Sequence, residues 1–337
     1  MGRIFALPAP ILTIVIPTFD RPQRLANLLK TLLPQKDDRW KLLIVDNCSP
    51  RPVRDFVPVE AEVVRNSVNI GAAGSFPRCF ELMDTNWVWM IGDDDLVDSN
   101  GLEVVLNAIA QYPEAAILNF GSHGQRTVRS DARVFHGFDE FITKSDSLIE
   151  TVWMSGNVYS RRHYWPYISL AYRFANTQSA HYVLLMMVLI GGGTYVQLPN
   201  PVCCQADEMA PSANHSELVS AIVALADLPM SNAQRRKFLS RMQRGYTELV
   251  RDVIQCAYHL DNGAEREEIL YLFRMRWGQS AIARNSWMLA VVSTLGRLVL
   301  SLGIGRLVVR ALIVLKTRIT RQQTHYRPHV PRFHRII

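Results

Sequence analysis

Three adjacent carboxylates, Asp93, Asp94 and Asp95, follow a glycine and a five-residue, mostly apolar run in the segment WVWMIGDDDLVDSN, Trp87 to Asn100. Like charges side by side repel, so such a run either lies in water or has something strongly positive among it. No basic residue stands near it in sequence, and that composition suits a divalent cation. Mg2+ or Mn2+ takes oxygen ligands, usually one or two carboxylates plus phosphate oxygens from a substrate. The ion cancels the repulsion and then needs an anionic ligand to complete its sphere. A solvated loop is the other home for three aspartates, and the surrounding elements decide between the two.

Those elements alternate. ILTIVIPT (Ile11 to Thr18) is β-branched and continuously apolar, as expected of a strand buried on both faces. In the DRPQRLANLLKTLL that follows, Leu25, Leu28, Leu29, Leu32 and Leu33 fall at helical spacing, and Pro22 suits a first turn. KLLIVD (Lys41 to Asp46), AEVVRN (Ala61 to Asn66), WVWMI (Trp87 to Ile91) and AAILNF (Ala115 to Phe120) read as further strands. GSFPRCFELM and NGLEVVLNAIAQY read as helices between them. Alternation through the first 120 residues predicts a mostly parallel sheet with helices on both faces, an α/β fold. Ligands of such sheets lie beyond the carboxyl ends of the strands. Thr18–Asp20, Asp46–Asn47, Arg65–Asn69 and Asp93–Asp95 all fall at those ends, so four polar clusters are expected along one crevice. That company favours the metal over the solvated loop.

Residues 121–150 are polar and read as an irregular, mobile connection over the site. MSGNVYSR (Met154 to Arg161) reads as a strand, SAHYVLLMMVLI as a buried helix and GGGTYVQLPNPV as a turn and a strand. From about Asn214 the pattern is helical nearly to the end.

The net charge of +7 is unevenly spread. Past Glu268 there are twelve basic residues and no acidic one, which leaves 25 basic against 30 acidic residues in the first 268 positions. The body is mildly acidic and the tail strongly basic. An overall pI near 9.3 therefore does not mark a nucleic-acid binder, because the basic stretch is interleaved with Leu, Val and Ile. The five cysteines match no metal spacing, and adjacent Cys203 and Cys204 sit in an apolar run, so a reducing, cytoplasmic setting fits. The N-terminal MGRIFALPAPILTIVIP is broken by Pro8, Pro10 and Pro17 and reads as a leader into the first strand rather than a signal segment.

TIVIPTFDRPQRLANLLKTLL, LLIVDNCSP, RNSVNIGAAGSF and MIGDDDLV resemble, in order and spacing, the successive motifs of the family-2 glycosyltransferases, over roughly residues 10–210. RNSVNIG, GDDDL and HYVLLMMVLI ahead of PNPV resemble the abequosyltransferase-like branch, enzymes of bacterial O-antigen assembly. The resemblance implies a GT-A fold: a catalytic domain over 1–212, with a nucleotide-sugar half (1–120) and an acceptor-side half (121–212), then a helical extension (213–284) and a tail (285–337). It implies transfer from a nucleotide-diphosphate sugar to a glycan or polyprenyl-linked acceptor, with inversion at the anomeric carbon and Mg2+ or Mn2+ as cofactor. Carried over residue by residue, Pro17, Thr18 and Asp20 hold the nucleotide, although many relatives have Asn at the last of these. Asp46 faces the base, and the Asn69–Gly71 turn closes over the nucleotide, its glycine allowing close backbone approach. The carboxylate trio resembles the DXD element: Asp93 and Asp94 lie near ribose or phosphates, and Asp95, with Asp93, ligates the metal.

The attacking acceptor hydroxyl needs a base. Many relatives carry Glu-Asp downstream of the equivalent of SGNVYSRR, where this chain has NTQSAHYV (Asn176 to Val183) and no carboxylate. His181 occupies about that place with a suitable ordinary pKa. A lone histidine leading a helix is more often structural, so Asp207 and Glu208 stand as alternatives, with Asp139, Glu140 and Asp146 behind them. A nucleotidyltransferase would show a glycine-rich basic loop after the first strand, and PTFDRPQRL has no glycine. A phosphatase would show a DxD element there, and Asp20 stands alone. A non-catalytic nucleotide-sugar-binding protein is the remaining class.

The tail NSWMLAVVSTLGRLVLSLGIGRLVVRALIVLKTRITRQ (Asn285 to Gln322) is mostly apolar, but Arg297 interrupts it and Gly303 and Gly305 divide it. Ser293, Arg297 and Ser301 make one polar stripe, and Arg306, Arg310, Thr317 and Arg321 another. Two amphipathic helices on the anionic inner face of the cell membrane fit this pattern. The alternatives are a helical pair packed on the catalytic domain or in a homodimer interface, and a single span.

Overall fold

The computed structural model describes residues 10–121, 130–145, 148–175, 180–205 and 225–241. The chain divides into two units, Met1–Arg251 and Asp252–Ile337, and the described residues all belong to the first. The leader before residue 10, Asp146, Asp207, Glu208, Cys256, most of the helical extension and the whole tail lie outside the described residues.

The strands are β1 (Leu12–Thr18), β2 (Trp40–Asp46), β3 (Glu62–Arg65), β4 (Trp87–Met90), β5 (Asp95–Val97), β6 (Ile117–Asn119), β7 (Arg133–His136), β8 (Asn157–Ser160), β9 (Thr194–Gln197) and β10 (Cys203–Gln205). The α-helices are α1 (Pro22–Leu32), α2 (Gly71–Glu81), α3 (Gly101–Gln111), α4 (Gly137–Lys144), α5 (Ile149–Val152), α6 (Arg161–Tyr164), α7 (Ile168–Arg173) and α8 (Ala180–Ile190). A further helix covers 232–241.

Eight strands form one sheet in the order β3-β2-β1-β4-β8-β6-β9-β7. The β3-β2-β1-β4 half is parallel, as the alternating pattern requires. β8 runs antiparallel to both β4 and β6, so β6 and its parallel neighbour β9 point the same way as β4. The carboxyl ends of β1, β2, β3, β4, β6 and β9 therefore share one edge.

One face of this sheet carries a continuous apolar core. Ile14 and Ile16 of β1, Leu42 and Ile44 of β2, Trp87 and Trp89 of β4, Leu118 of β6 and Val196 of β9 pack there with Leu25, Leu28, Leu29 and Leu32 of α1 and Val105 and Ile109 of α3. The opposite face is covered in part by α2 and α8, and Phe80 meets Tyr159 and Tyr164 edge to face at centroid distances of 5.0 and 5.1 Å. α8 is buried nearly all round, as its unbroken apolar sequence requires.

Two expectations change. Residues 133–144, read as part of an irregular connection, form β7 and α4, with Phe135, Phe138 and Phe141 buried. Polar Arg133, His136, Asp139, Glu140 and Lys144 disguise this apolar face in the sequence. The second change is a small antiparallel pair, β5 with β10, registered Asp95 to Gln205 and Val97 to Cys203. It ties the segment after the carboxylates to residues 203–205, and Cys203 is a buried strand residue, as its run implies.

Gly101, at the start of α3, sits under this pair: a Cβ there would lie 2.8 Å from both the Val202 carbonyl oxygen and Val97 Cγ1. Gly101→Ala should lose ~1–3 kcal/mol of stability, because the obstruction is partly backbone. Urea unfolding with an unchanged midpoint would show that the pair yields freely.

Candidate active site

Strand register builds the first row of the site. Thr18 ends β1 opposite Asp46 of β2, which lies opposite Arg65 of β3. Asp46 is fully buried. Its Oδ1 accepts the Ser49 N–H at 2.8 Å, and its Oδ2 accepts the Val53 N–H at 3.3 Å and the Arg65 guanidinium. Burial pushes this carboxyl up, but those donors outweigh it and hold it below its ordinary value. Both oxygens thus have donors. In this arrangement Asp46 anchors the loop 47–53 and the half-exposed Arg65.

Three asparagines extend the row. Asn47 Nδ2 donates to Asn69 Oδ1 at 2.7 Å, and Asn47 Oδ1 accepts from Asn66 Nδ2 at 2.9 Å and the Ile70 N–H at 3.0 Å. Asn69 Oδ1 also accepts the Gly71 N–H at 2.8 Å. Gly71 opens α2 at φ +72°, a conformation that costs a side-chain-bearing residue energy, and no heavy atom lies within 4 Å of where its Cβ would be. The turn expected over the nucleotide is therefore present and open. Asp20 (φ 52°) and Cys48 (φ 67°) also adopt left-handed backbone without being glycine, at the ends of β1 and β2. The Asp20 N–H donates to Ser49 Oγ at 3.0 Å and its side chain is exposed. Pro17 is buried inside β1.

The carboxylates complete the crevice, and all three are buried, at 4, 7 and 3% exposure for Asp93, Asp94 and Asp95. Thr18 Oγ1 donates to Asp93 Oδ2 at 2.6 Å, which joins the first and fourth strand ends directly. Arg21 Nη1 donates to Asp93 Oδ1 at 3.0 Å, and Arg24 Nη1 to Asp94 Oδ2 at 3.4 Å. The expectation of a run without basic company fails here. The two arginines are some seventy residues away in sequence; Arg21 is the residue before α1 and Arg24 lies in its first turn, beside the end of β4. Their spacing of three within DRPQRL, one helical turn, is the signal that could have found them.

Asp95 differs from its neighbours. Ser155 Oγ donates to its Oδ2, and Oδ1 has no donor among the described residues. Burial pushes the carboxyl up to about 7, against the Ser155 hydrogen bond, with Asp94 and Asp93 adding to the rise. Asp93 is also raised by burial, against the Thr18 hydroxyl and Arg21. Gly92 makes the crowding possible, since a Cβ there would lie 2.9 Å from Asp94 Oδ1 and 3.0 Å from Asp95 Oδ2. Ser155, which sequence reasoning did not single out, also accepts the Gly92 N–H at 3.0 Å, and its carbonyl accepts the Trp89 indole N–H at 2.8 Å.

Against two guanidiniums, three carboxylates leave one negative charge unmatched, and Asp95 is the member that no guanidinium reaches among the described residues. A hard divalent ion fits that donor set. Among the described residues no three His, Cys, Asp or Glu side chains form a cage for a metal. An ion would therefore be held by one or two carboxylates and completed by other oxygens, as Mg2+ and Mn2+ are in phosphate sites.

His181 lies in the first turn of α8 and is 4% exposed. Its Nε2–H donates to the Val152 carbonyl at 2.6 Å, and Phe76 meets its ring edge on at 5.8 Å. Nδ1 is buried without a partner among the described residues. Burial holds the ring pKa down at about 4, against the Val152 hydrogen bond. A ring so placed is neutral at physiological pH and a weaker base than its ordinary pKa suggested. Asp139 pairs with Lys237 at 2.8 Å and Glu140 with Lys144 at 2.6 Å, so both serve local ion pairs.

Residues 13–165 match the family model Glycosyl transferase family 2. The match covers a little under half of the chain. The matched segment contains both strand-end rows and Ser155. The chain is 30% identical over 115 residues to an "Uncharacterized glycosyltransferase" of Haemophilus influenzae, covering 34% of this chain and 38% of that protein. It is 28% identical over 103 residues to the "Putative colanic acid biosynthesis glycosyl transferase WcaA" of Escherichia coli, covering 29% of this chain and 37% of that protein. The chain thus spans well under half the length of these relatives. Among solved structures it resembles TarS of S. aureus in complex with UDP-GlcNAc (14% identity, TM-score 0.54, covering 72% of this chain and 80% of that one). It also resembles the mannosyltransferase PcManGT of Pyrobaculum calidifontis in complex with GDP-Man and Mn2+ (14% identity, TM-score 0.50, covering 87% and 81%). The fold is the expected GT-A fold.

The state of Asp95 makes a prediction for stability. Its pKa lies above the ordinary 3.8 in the folded chain, so folding binds a proton and stability falls as pH rises from about 4 through about 7. Asp95→Asn cannot ionise and escapes that loss. With metal chelated, it should be more stable than wild type at pH 8, on the order of 1–3 kcal/mol, and nearly equal at pH 4. Equal melting temperatures at both pH values would show that Asp95 ionises normally.

Proposed function

We propose that this chain is an inverting, divalent-metal-dependent glycosyltransferase that moves a sugar from a nucleotide-diphosphate donor to a glycan or lipid-linked acceptor in surface-polysaccharide synthesis. The observation that carries the reading is Asp95: a buried carboxylate with one oxygen undonated, at the strand edge where Thr18, Asp93 and the asparagine row also converge. The family-2 match supports it, as do a relative named for colanic acid biosynthesis and neighbours in complex with nucleotide sugars, one of them with Mn2+. O-antigen assembly is the narrower reading, from the branch resemblance.

A divalent ion held by Asp95, with Asp93 beside it, would offset the charge that a diphosphate leaving group gains. The chain's own groups do the rest. Thr18 fixes Asp93, Asp46 fixes the loop 47–53 and Arg65, and the Asn69–Gly71 turn offers backbone to the nucleotide. An acceptor hydroxyl then attacks the anomeric carbon from the face opposite the leaving group, and a base takes its proton. His181, Asp207 and Glu208 are the candidates. Burial of the histidine ring favours the two carboxylates.

Binding of UDP-, GDP-, CDP- and dTDP-sugars with and without Mn2+ tests the reading. Wild type should bind one class in a metal-dependent way, and Asp95→Ala should lose that dependence and all turnover. Absence of metal-dependent binding across the panel sinks it, and full turnover by the variant removes Asp95 from the metal. For the base, the substitution that cuts turnover ~10²–10⁴-fold while leaving donor affinity alone identifies the residue. His181→Ala losing activity only in step with its melting temperature would assign the ring to packing.

No helix among the described residues is long and apolar enough to cross a membrane. For the basic tail we propose binding to an anionic membrane surface, which would bring the site to a lipid-linked acceptor. Full-length protein should float with anionic liposomes, less with neutral ones or in high salt, and a chain ending near Asn285 should not float. Flotation of neither form rejects the membrane reading.

A further inference from the structure

Arg21 and Arg24 are the part of the carboxylate cluster that a metal site does not need. Arg21 caps α1 and Arg24 lies in its first turn, with no acidic residue in that turn and no side chain capping the helix. Two cations thus stand at the positive end of a helix dipole, an unfavourable place without anions nearby. Asp93 and Asp94 supply them. Neither guanidinium is used up by doing so. Arg21 makes both its contacts, 3.0 Å to Asp93 and 4.0 Å to Asp94, through Nη1, and Arg24 uses only Nη1, at 3.4 Å. Their remaining N–H groups have no acceptor among the described residues. The arginine side chains keep 37 and 23% exposure while the carboxylates keep 5 and 9%, so the free N–H groups are on the open side.

Arg21 also holds the oxygen of Asp93 that Thr18 leaves open. Oδ2 accepts from Thr18, and Oδ1 accepts from Arg21. A metal on Asp93 would therefore share that oxygen with the Arg21 guanidinium, and the two positive charges compete for it. We propose that Arg21 and Arg24 form a resident cationic clamp, neutralising Asp93 and Asp94 in the empty site, then turning to the donor's diphosphate as the divalent ion takes their place. This rests on the nucleotide-sugar reading above. The exchange keeps every charge matched. The ion faces carboxylates, and the planar guanidinium forks face phosphate oxygens, whose geometry they fit in pairs. Were the arginines to remain on the carboxylates, the diphosphate would rely on the ion alone while their free donors went unused.

The proposal demands two effects of opposite sign from one substitution. Arg21→Gln removes a competing cation, so Mn2+ binding without nucleotide should tighten by ~10-fold, by loss of a unit charge at hydrogen-bond distance in a partly screened site. The same variant should bind nucleoside diphosphate at least ~10-fold more weakly at saturating Mn2+. Arg24→Gln should shift both in the same directions and less, since its contact is longer. The experiment uses the full chain, with Mn2+ followed by electron paramagnetic resonance, UDP, GDP, CDP and dTDP followed by calorimetry, and melting temperature measured in parallel. An arginine that merely supports the fold would lower the melting temperature and weaken both ligands together, which overturns the clamp, as does no change in either affinity. If Arg21→Gln does not fold, Arg21→Lys serves. It keeps the charge and loses the fork, so Mn2+ affinity should stay near wild type while nucleotide affinity falls. Unchanged nucleotide affinity in that variant overturns the phosphate role. If wild type binds none of the four nucleotides, the donor reading fails and the clamp with it. Tightened Mn2+ in the same series would place that failure in the donor rather than in the competition at Asp93.

Discussion

Burying three adjacent carboxylates is the constraint on which the rest of the site depends. Moving one ionised carboxylate out of water costs several kcal/mol even after relaxation. Asp93, Asp94 and Asp95 meet that cost in three different ways: Asp93 by a hydroxyl and a guanidinium, Asp94 by guanidiniums at 3.4 and 4.0 Å, and Asp95 by a hydroxyl and partial protonation. The asymmetry matters more than the sum. A cluster neutralised at every member would be a structural ion network with nothing left to bind. Here the unmatched charge falls to the carboxylate that no guanidinium reaches, and that imbalance leaves the cluster able to take a cation.

The neighbouring strand ends follow the opposite rule. Asp46 is as buried as the trio, yet its donors hold it below the ordinary carboxylate range. It is charged, satisfied and fixed. The asparagines beside it use amide donors and acceptors against each other and against backbone N–H groups, so the chain reversals after β2 and β3 are held without net charge. Two non-glycine residues in left-handed backbone, Asp20 and Cys48, sit within this network. Backbone strain of that kind persists only where surrounding bonds over-determine it. The β3-β2-β1-β4 half thus holds its strand ends firmly around an unbalanced point.

Much of this was legible before any coordinates. Continuous β-branched runs announced parallel strands, and the polar residues closing each run announced an edge where they meet. Both hold because strand ends in a parallel sheet are brought together by topology alone. What escaped the sequence was contact across topology. Arg21 and Arg24 reach the trio from α1, Ser155 reaches Asp95 from the segment before β8, and Arg65 takes up Asp46 from the adjoining strand. Side-chain reach is invisible to periodicity. The β7–α4 segment escaped for another reason: its buried phenylalanines are spaced among charges that serve local ion pairs, so local composition looked like a loop.

Ser155 shows how the two halves are joined. Its hydroxyl donates to Asp95 and accepts from Gly92, while its carbonyl takes the Trp89 indole N–H at the centre of the core. Two residues on, Asn157 starts β8, the antiparallel strand that separates the parallel β3-β2-β1-β4 half from β6 and β9. The same serine carbonyl is 3.2 Å from the Cys203 thiol, and β10 pairs Gln205 with Asp95. Asp95 is therefore held from three directions: by its own strand, by the segment before β8, and by the last strand of the domain. A carboxylate so fixed cannot swing away from the charges beside it, and its neighbours' repulsion cannot be relieved by movement. Relief has to come from a proton or from a cation, and at neutral pH with a group titrating near 7 the two compete for the same oxygen.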